Sequence, residues 1–146
     1  MRVLVLAVGK LKERGLREAV DDYSRRIARY ARFEEQELKD GVAAELEARF
    51  ARAIPERSRV VALEVDGESW SSDALARQVG RCEAGAVAAL VFLIGGADGL
   101  PPEVSRRADA KMSLSAMTLP HRLARLVLVE QIYRAFTILR GEPYPR

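Results

Sequence analysis

Residues 86–94 read AVAALVFLI, and residues 95–99 continue as GGADG. A run with no polar side chain suits a strand covered on both faces, as in a parallel sheet between helices, better than a strand with one wet side. The glycines mark its hand-over to a loop, and open α/β sheets bind ligands at the carboxyl ends of their strands. On either side of this run the chain alternates. Residues 2–8 (RVLVLAV) form a β-branched apolar run ending at Gly9, residues 33–38 a shorter candidate strand, and residues 59–65 (RVVALEV) another, ended by Asp66-Gly67. Between them, Leu16, Val20, Tyr23, Ile27 and Tyr30 fall at helical spacing, as do Val42, Leu46, Phe50 and Ile54 before Pro55. A third helix, capped by Ser71 or Ser72, runs to about Gly85. Downstream, Pro101-Pro102 opens a short helical stretch and residues 110–114 form a fifth strand. Pro120 suits the first turn of a long apolar helix reaching about Leu139. This alternation predicts an α/β fold: one domain over residues 1–146, with a parallel-type sheet flanked by helices. Strand order cannot be read from periodicity, and chains in general avoid knots.

Composition narrows the function. A chain of 146 residues, 49% hydrophobic, can bury a core without staples. The lone Cys82 cannot form an internal disulfide, and no Cys or His cluster has metal-ligand spacing, which argues against a secreted scaffold and a zinc site. The apolar residues 1–8 are too few to span a membrane and lack a cleavage site. The expectation is a soluble, cytoplasmic protein with no metal and no membrane partner. The formal charge is +3, and Lys occurs only at positions 10, 12, 39 and 111, so Arg dominates the basic residues. Guanidinium groups bind phosphates and stack on bases, which is compatible with RNA but also with an Arg-rich solvated surface.

Two loops could carry chemistry. The first is Gly95-Gly96-Ala97-Asp98-Gly99, where glycines let a ligand approach the backbone. It is GGxxG rather than GxGxxG, lacks the GK[ST] of a phosphate loop, and has no acidic residue about 20 positions on to hold a ribose. Standard dinucleotide and triphosphate sites are therefore disfavoured. The second is Ser113-Leu114-Ser115-Ala116-Met117-Thr118-Leu119-Pro120-His121, between a short strand and a Pro-started helix. Exposed peptide groups there can hold a purine edge or an amino-acid group. Taken alone, either loop is also compatible with a structural turn. His121 could accept a proton, contact RNA or simply face solvent. Glu130 and Arg134, four apart on one helix, make an intrahelical pair or part of a site. The helix carrying them is apolar around so much of its girth that it belongs to a core, an interface or both. Cys82 and Trp70 read as packing residues.

Together, residues 93–99 (LIGGADG), 113–121 (SLSAMTLPH) and 130–135 (EQIYRA) resemble the RlmH family of ribosomal RNA large-subunit pseudouridine N3-methyltransferases, within the SPOUT superfamily. The resemblance extends from the first strand to Tyr144 and Arg146, and the order and spacing of its pieces make it specific. It implies a trefoil knot in the C-terminal half, a homodimer packed partly through the last helix, S-adenosylmethionine as methyl donor without a metal, and the ribosome or its large-subunit RNA as partner, not DNA. It places Leu63, Gly95, Gly96, Leu114, Ser115, Ala116, Met117, Thr118 and Leu119 at the donor. It places His121, Glu130, Arg134, Tyr144 and Arg146 on the RNA and catalytic side. Family members commonly carry a His between the terminal Tyr and Arg, where this chain has Pro145. A tail histidine is thus not the base here, and His121, Glu130 or water remain as proton acceptors. A noncatalytic ribosome-associated RNA-binding protein of the same fold is the alternative.

Overall fold

The computed structural model describes residues 1–144. In chain order the elements are β1 (Arg2–Val8), α1 (Arg14–Ile27), β2 (Arg32–Leu38), α2 (Ala43–Ala53), β3 (Ser58–Ser69), α3 (Ser72–Ala84), β4 (Ala89–Ile94), α4 (Pro102–Arg107), β5 (Ala110–Ser113) and α5 (His121–Arg140). The five strands pair in the order β2-β1-β4-β3-β5, every pairing parallel. The alternation expected from the sequence is therefore a parallel α/β sheet, with the apolar run at residues 89–94 in its centre.

The pleat sends successive side chains to opposite faces. Val3, Val5 and Ala7 of β1, with Leu90, Phe92 and Ile94 of β4, face a core completed by α1, α3 and α5. Leu4, Leu6 and Val8, with Ala89, Val91 and Leu93, face a second core built with Leu46 and Phe50 of α2 and Val104 of α4. Both sides of β4 are covered, which is why its sequence carries no polar residue.

Three boundaries differ notably from the sequence reading, the first being β4, which begins at Ala89 rather than at residue 86. Strand β3 does not stop at Asp66-Gly67 but runs to Ser69. Leu63 and Glu68 both pair with Met112 of β5, so residues 64–67 bulge out and the ladder resumes beyond them. Gly67 lies so close to β5 that a Cβ there would sit 2.8 Å from the backbone of Lys111 and Met112. The dipeptide that reads as a turn is a bulge, held in the ladder by a neighbour the local sequence does not reveal. Pro120 is not in the first helical turn either. Its φ of −55° and ψ of 142° place it just before the helix, which starts at His121.

From β5, at the sheet edge, the chain returns so that α5 packs against both α1 and α3 over the middle of the sheet. The trefoil knot implied by the resemblance would lie in this C-terminal return. The core takes most of the apolar girth of α5: Leu128, Val129, Ile132, Ala135 and Phe136 are fully buried. Leu123 and Val127, one turn apart, are left exposed at 39% and 37%. No described helix is long and apolar enough to cross a membrane.

Candidate functional site

At the carboxyl ends of β3 and β4 lies an open cleft of about 220 Å³. Three segments wall it: Leu63, Glu64 and Val65 at the β3 bulge; residues 94–97 with Gly99 and Leu100 after β4; and Leu114, Ser115, Met117, Thr118 and Leu119, with His121 and Ala124 of α5. The two loops singled out in the sequence thus meet across one cavity, with His121 at its side. Of the residues expected at a donor, Leu63, Gly95, Gly96, Leu114, Ser115, Met117, Thr118 and Leu119 line it, while Ala116 is exposed and does not.

Hydrogen bonding shows what this wall can offer. Ser113 Oγ donates to Ser115 O at 2.9 Å, and Ser115 Oγ accepts from Met117 N at 2.9 Å. These bonds shape the loop, which presents peptide groups, apolar side chains and the Ser115 and Thr118 hydroxyls to the cleft. Gly95 is required by the loop itself. A Cβ there would clash with the backbone of Gly99 and Leu100, coming 2.7 Å from Gly99 O. Its missing side chain lets the loop fold back on itself at the cleft wall.

The sequence reading missed Glu64, which brings a carboxylate to the wall. Ser105, itself buried, donates to Glu64 Oε2 at 2.8 Å. The only sequence signal was adjacency to Leu63, and ending the strand at Asp66 hid the bulge that places both in the cleft.

A second cluster lies further along α5. Arg134 Nη2 pairs with Glu130 Oε2 at 2.7 Å, and its guanidinium lies 4.7 Å from the centre of the Tyr144 ring. That ring meets Tyr133 edge-on at 4.8 Å, and its hydroxyl bonds that of Tyr23 at 3.3 Å. Burial, then hydrogen bonding to Tyr23 and Glu130, pushes the Tyr144 phenol well above its ordinary range. Tyr144 is therefore a neutral phenol at physiological pH. Arg134 and Tyr144 line a cavity of about 320 Å³ shared with Ser72, Asp73 and Gln131. Arg146 lies outside the described residues.

The residues expected on the RNA and catalytic side thus fall into two groups. His121 stands at the first cleft; Glu130, Arg134 and Tyr144 stand at the second. Along α5, the 13 residues from His121 to Arg134 span roughly 20 Å at 1.5 Å per residue. Among the described residues, no trio of His, Cys, Asp or Glu is grouped to hold a metal ion.

A parallel α/β sheet carries a peptide-lined cleft at its carboxyl edge, and a solved structure shares the fold. The chain superimposes on a probable methylase family protein from Haemophilus influenzae with a TM-score of 0.60 and 12% identity, over 99% of this chain and 71% of that one. A family model described as predicted SPOUT methyltransferase matches residues 1–145, and this chain belongs to that family. Among its relatives, the ribosomal RNA large subunit methyltransferase H of Sorangium cellulosum is 52% identical over 99% of both chains. The protein of the same name from Anaeromyxobacter dehalogenans is 48% identical over 99% of both chains.

Proposed function

We propose that this chain transfers a methyl group from S-adenosylmethionine to N3 of a pseudouridine in large-subunit ribosomal RNA, acting in the cytoplasm as a homodimer. The observation that carries the reading is the convergence of Leu63, Gly95-Gly96 and residues 114–119 on one cleft. Its chemistry fits the donor: peptide groups for an adenine edge, apolar walls from Leu63, Leu114 and Leu119 for its faces, and the Glu64 carboxylate for a cationic ligand. The donor supplies an activated methyl group, and the protein's task is to hold the nucleophile in line.

The imide nitrogen of pseudouridine must lose its proton, and the resulting anion needs a cation beside it. We assign the cationic role to Arg146, on the resemblance, with Arg134 supporting Tyr144, whose neutral hydroxyl orients the base. His121, Glu130 or water takes the proton. Because His121 and the Arg134–Tyr144 pair stand at opposite parts of α5, both groups can serve one reaction if a second copy brings its Tyr144 end to the first copy's cleft. Exposed Leu123 and Val127, between these two regions, give such a dimer an apolar contact.

Incubation with large ribosomal subunits and labelled S-adenosylmethionine should move label into the RNA. Donor binding without transfer would instead favour a noncatalytic RNA-binding protein, a reading that Pro145 at the usual histidine position makes worth testing.

A further inference from the structure

Residues 9–13 join β1 to α1 at the carboxyl end of the sheet, and alternate residues of this segment are fastened down. Gly9 N donates to Leu38 O at 2.8 Å, and Gly9 O accepts from Arg125 Nη2 at 3.1 Å. The Leu11 side chain is buried, and its N–H donates to Glu37 Oε2 at 2.8 Å. Glu13 pairs with Arg122 of α5 at 2.8 Å. The residues between these anchors, Lys10 and Lys12, point their charges into solvent and have no ion pair among the described residues.

The anchor centres on one buried arginine. Arg125 is 1% exposed, bonds Glu35 at 3.1 Å and also Glu37, and Arg17 reaches both carboxylates from α1. These bonds tie Gly9 O and the carboxylates of β2 to one buried guanidinium, which holds the start of the loop in place. What it fixes is the loop that displays the two lysines. Lys39, likewise exposed and unpaired, follows Leu38, the residue bonded to Gly9. The place is next to the cleft: a Cβ on Gly96 would lie 3.2 Å from Val8, the last residue of β1. The helix residue that holds Glu13 follows His121, which lines the cleft.

We propose that Lys10 and Lys12, with Lys39 beside them, form a contact for the phosphate backbone of the substrate RNA at the edge of the methyl-transfer cleft. An ammonium on a flexible stem suits a phosphate and carries no base readout. Most surface arginines nearby are already matched to carboxylates, as Arg14 and Arg17 are. The free positive charge on this rim therefore comes from the lysines. The proposal rests on ribosomal RNA being the substrate.

The test is the Lys10→Ala/Lys12→Ala double variant of the full chain, binding large ribosomal subunits over a range of salt. Each phosphate contact contributes about 0.7–0.9 to the slope of log affinity against log salt, so two lost contacts should lower it by about 1.4–1.8. Affinity for S-adenosylmethionine and the thermal midpoint should stay as in the parent, and Lys10→Arg/Lys12→Arg should keep the parent slope. An unchanged slope and affinity in the double variant would overturn the contact while leaving the RNA reading standing. Loss of donor binding or of fold in the same variant would overturn it too, by making the lysines structural. A parent protein that does not bind subunits would overturn the RNA reading and the contact together.

Discussion

Arg134 lies over the face of Tyr144, 4.7 Å from the ring centre, while its guanidinium holds Glu130 at 2.7 Å. Tyr144 is docked on the helix, because the ring also packs against Tyr133 and bonds Tyr23. The cation–π contact and the ion pair together place a neutral hydroxyl beside a charged pair.

Tyr144→Phe keeps the ring and its packing but removes that hydroxyl. Loss of one hydrogen bond of about 0.5–1.5 kcal/mol should slow methyl transfer by up to about tenfold, with donor affinity unchanged. Because burial and its partners raise the Tyr144 phenol above the ordinary 10.0, it is not a proton acceptor near neutrality. The pH–rate profile of the variant should keep the parent shape. Disappearance of a basic limb would show that the phenolate takes part.

Replacing Gly95 by alanine should damage the loop before it affects any ligand, since the added Cβ meets Gly99 and Leu100. A destabilisation of roughly 1–3 kcal/mol, typical of forced overpacking, should appear in thermal unfolding together with weaker donor binding. A parent-like melting curve with lost donor affinity would return Gly95 to direct ligand contact.

The fold was legible where local sequence and tertiary structure agree. Residues 89–94 announce a doubly covered strand, and Ser71 caps α3 by accepting from Ala74 N at 3.0 Å. The β3 bulge was not legible, because Gly67 is shaped by contact with β5, more than forty residues away in the chain. The two loops of the cleft could be named from sequence, whereas Glu64 could not, since its place depends on that bulge and on Ser105. Nor does any period reveal that Arg125, in the second turn of α5, is buried against Glu35 and Glu37 of a distant strand.

That network also sets a pH dependence. Burial raises the Glu37 carboxyl, but hydrogen bonds from Arg125 and Leu11 N outweigh it and hold it below the ordinary 4.5. The bond from Arg140 lowers Glu83 in the same direction. A depressed carboxyl pKa contributes stability that is present above the unfolded value and lost as pH falls through the folded one. The unfolding midpoint in denaturant should therefore be level near neutrality and fall below about pH 4.5, and Glu37→Gln should make that fall shallower. An equally steep fall in the variant would remove Glu37 from the acid response. Arg125→Ala, which leaves Arg17 as the ion-pair partner of Glu35 and Glu37 and opens a cavity at a buried side chain, should destabilise the fold by roughly 1–3 kcal/mol at neutral pH.

Arg146→Ala separates chemistry from folding. If its role is in the reaction alone, stability should change by less than about 0.5 kcal/mol. Loss of a charge-assisted contact to the developing anion should cost about a hundredfold in single-turnover rate. Near-parent methylation of ribosomes would remove Arg146 from the reaction, and lost donor binding would move it to the donor cleft.

The measurement that bears most directly on the proposed activity is nucleoside analysis, by mass spectrometry, of large-subunit RNA methylated by this protein with isotopically labelled S-adenosylmethionine. The result predicted is label on a single nucleoside, a pseudouridine methylated at N3, and none when Tyr144 and Arg146 are both replaced by alanine. Label on another nucleoside, or on a ribose oxygen, would contradict the assignment of an imide anion stabilised by Arg146.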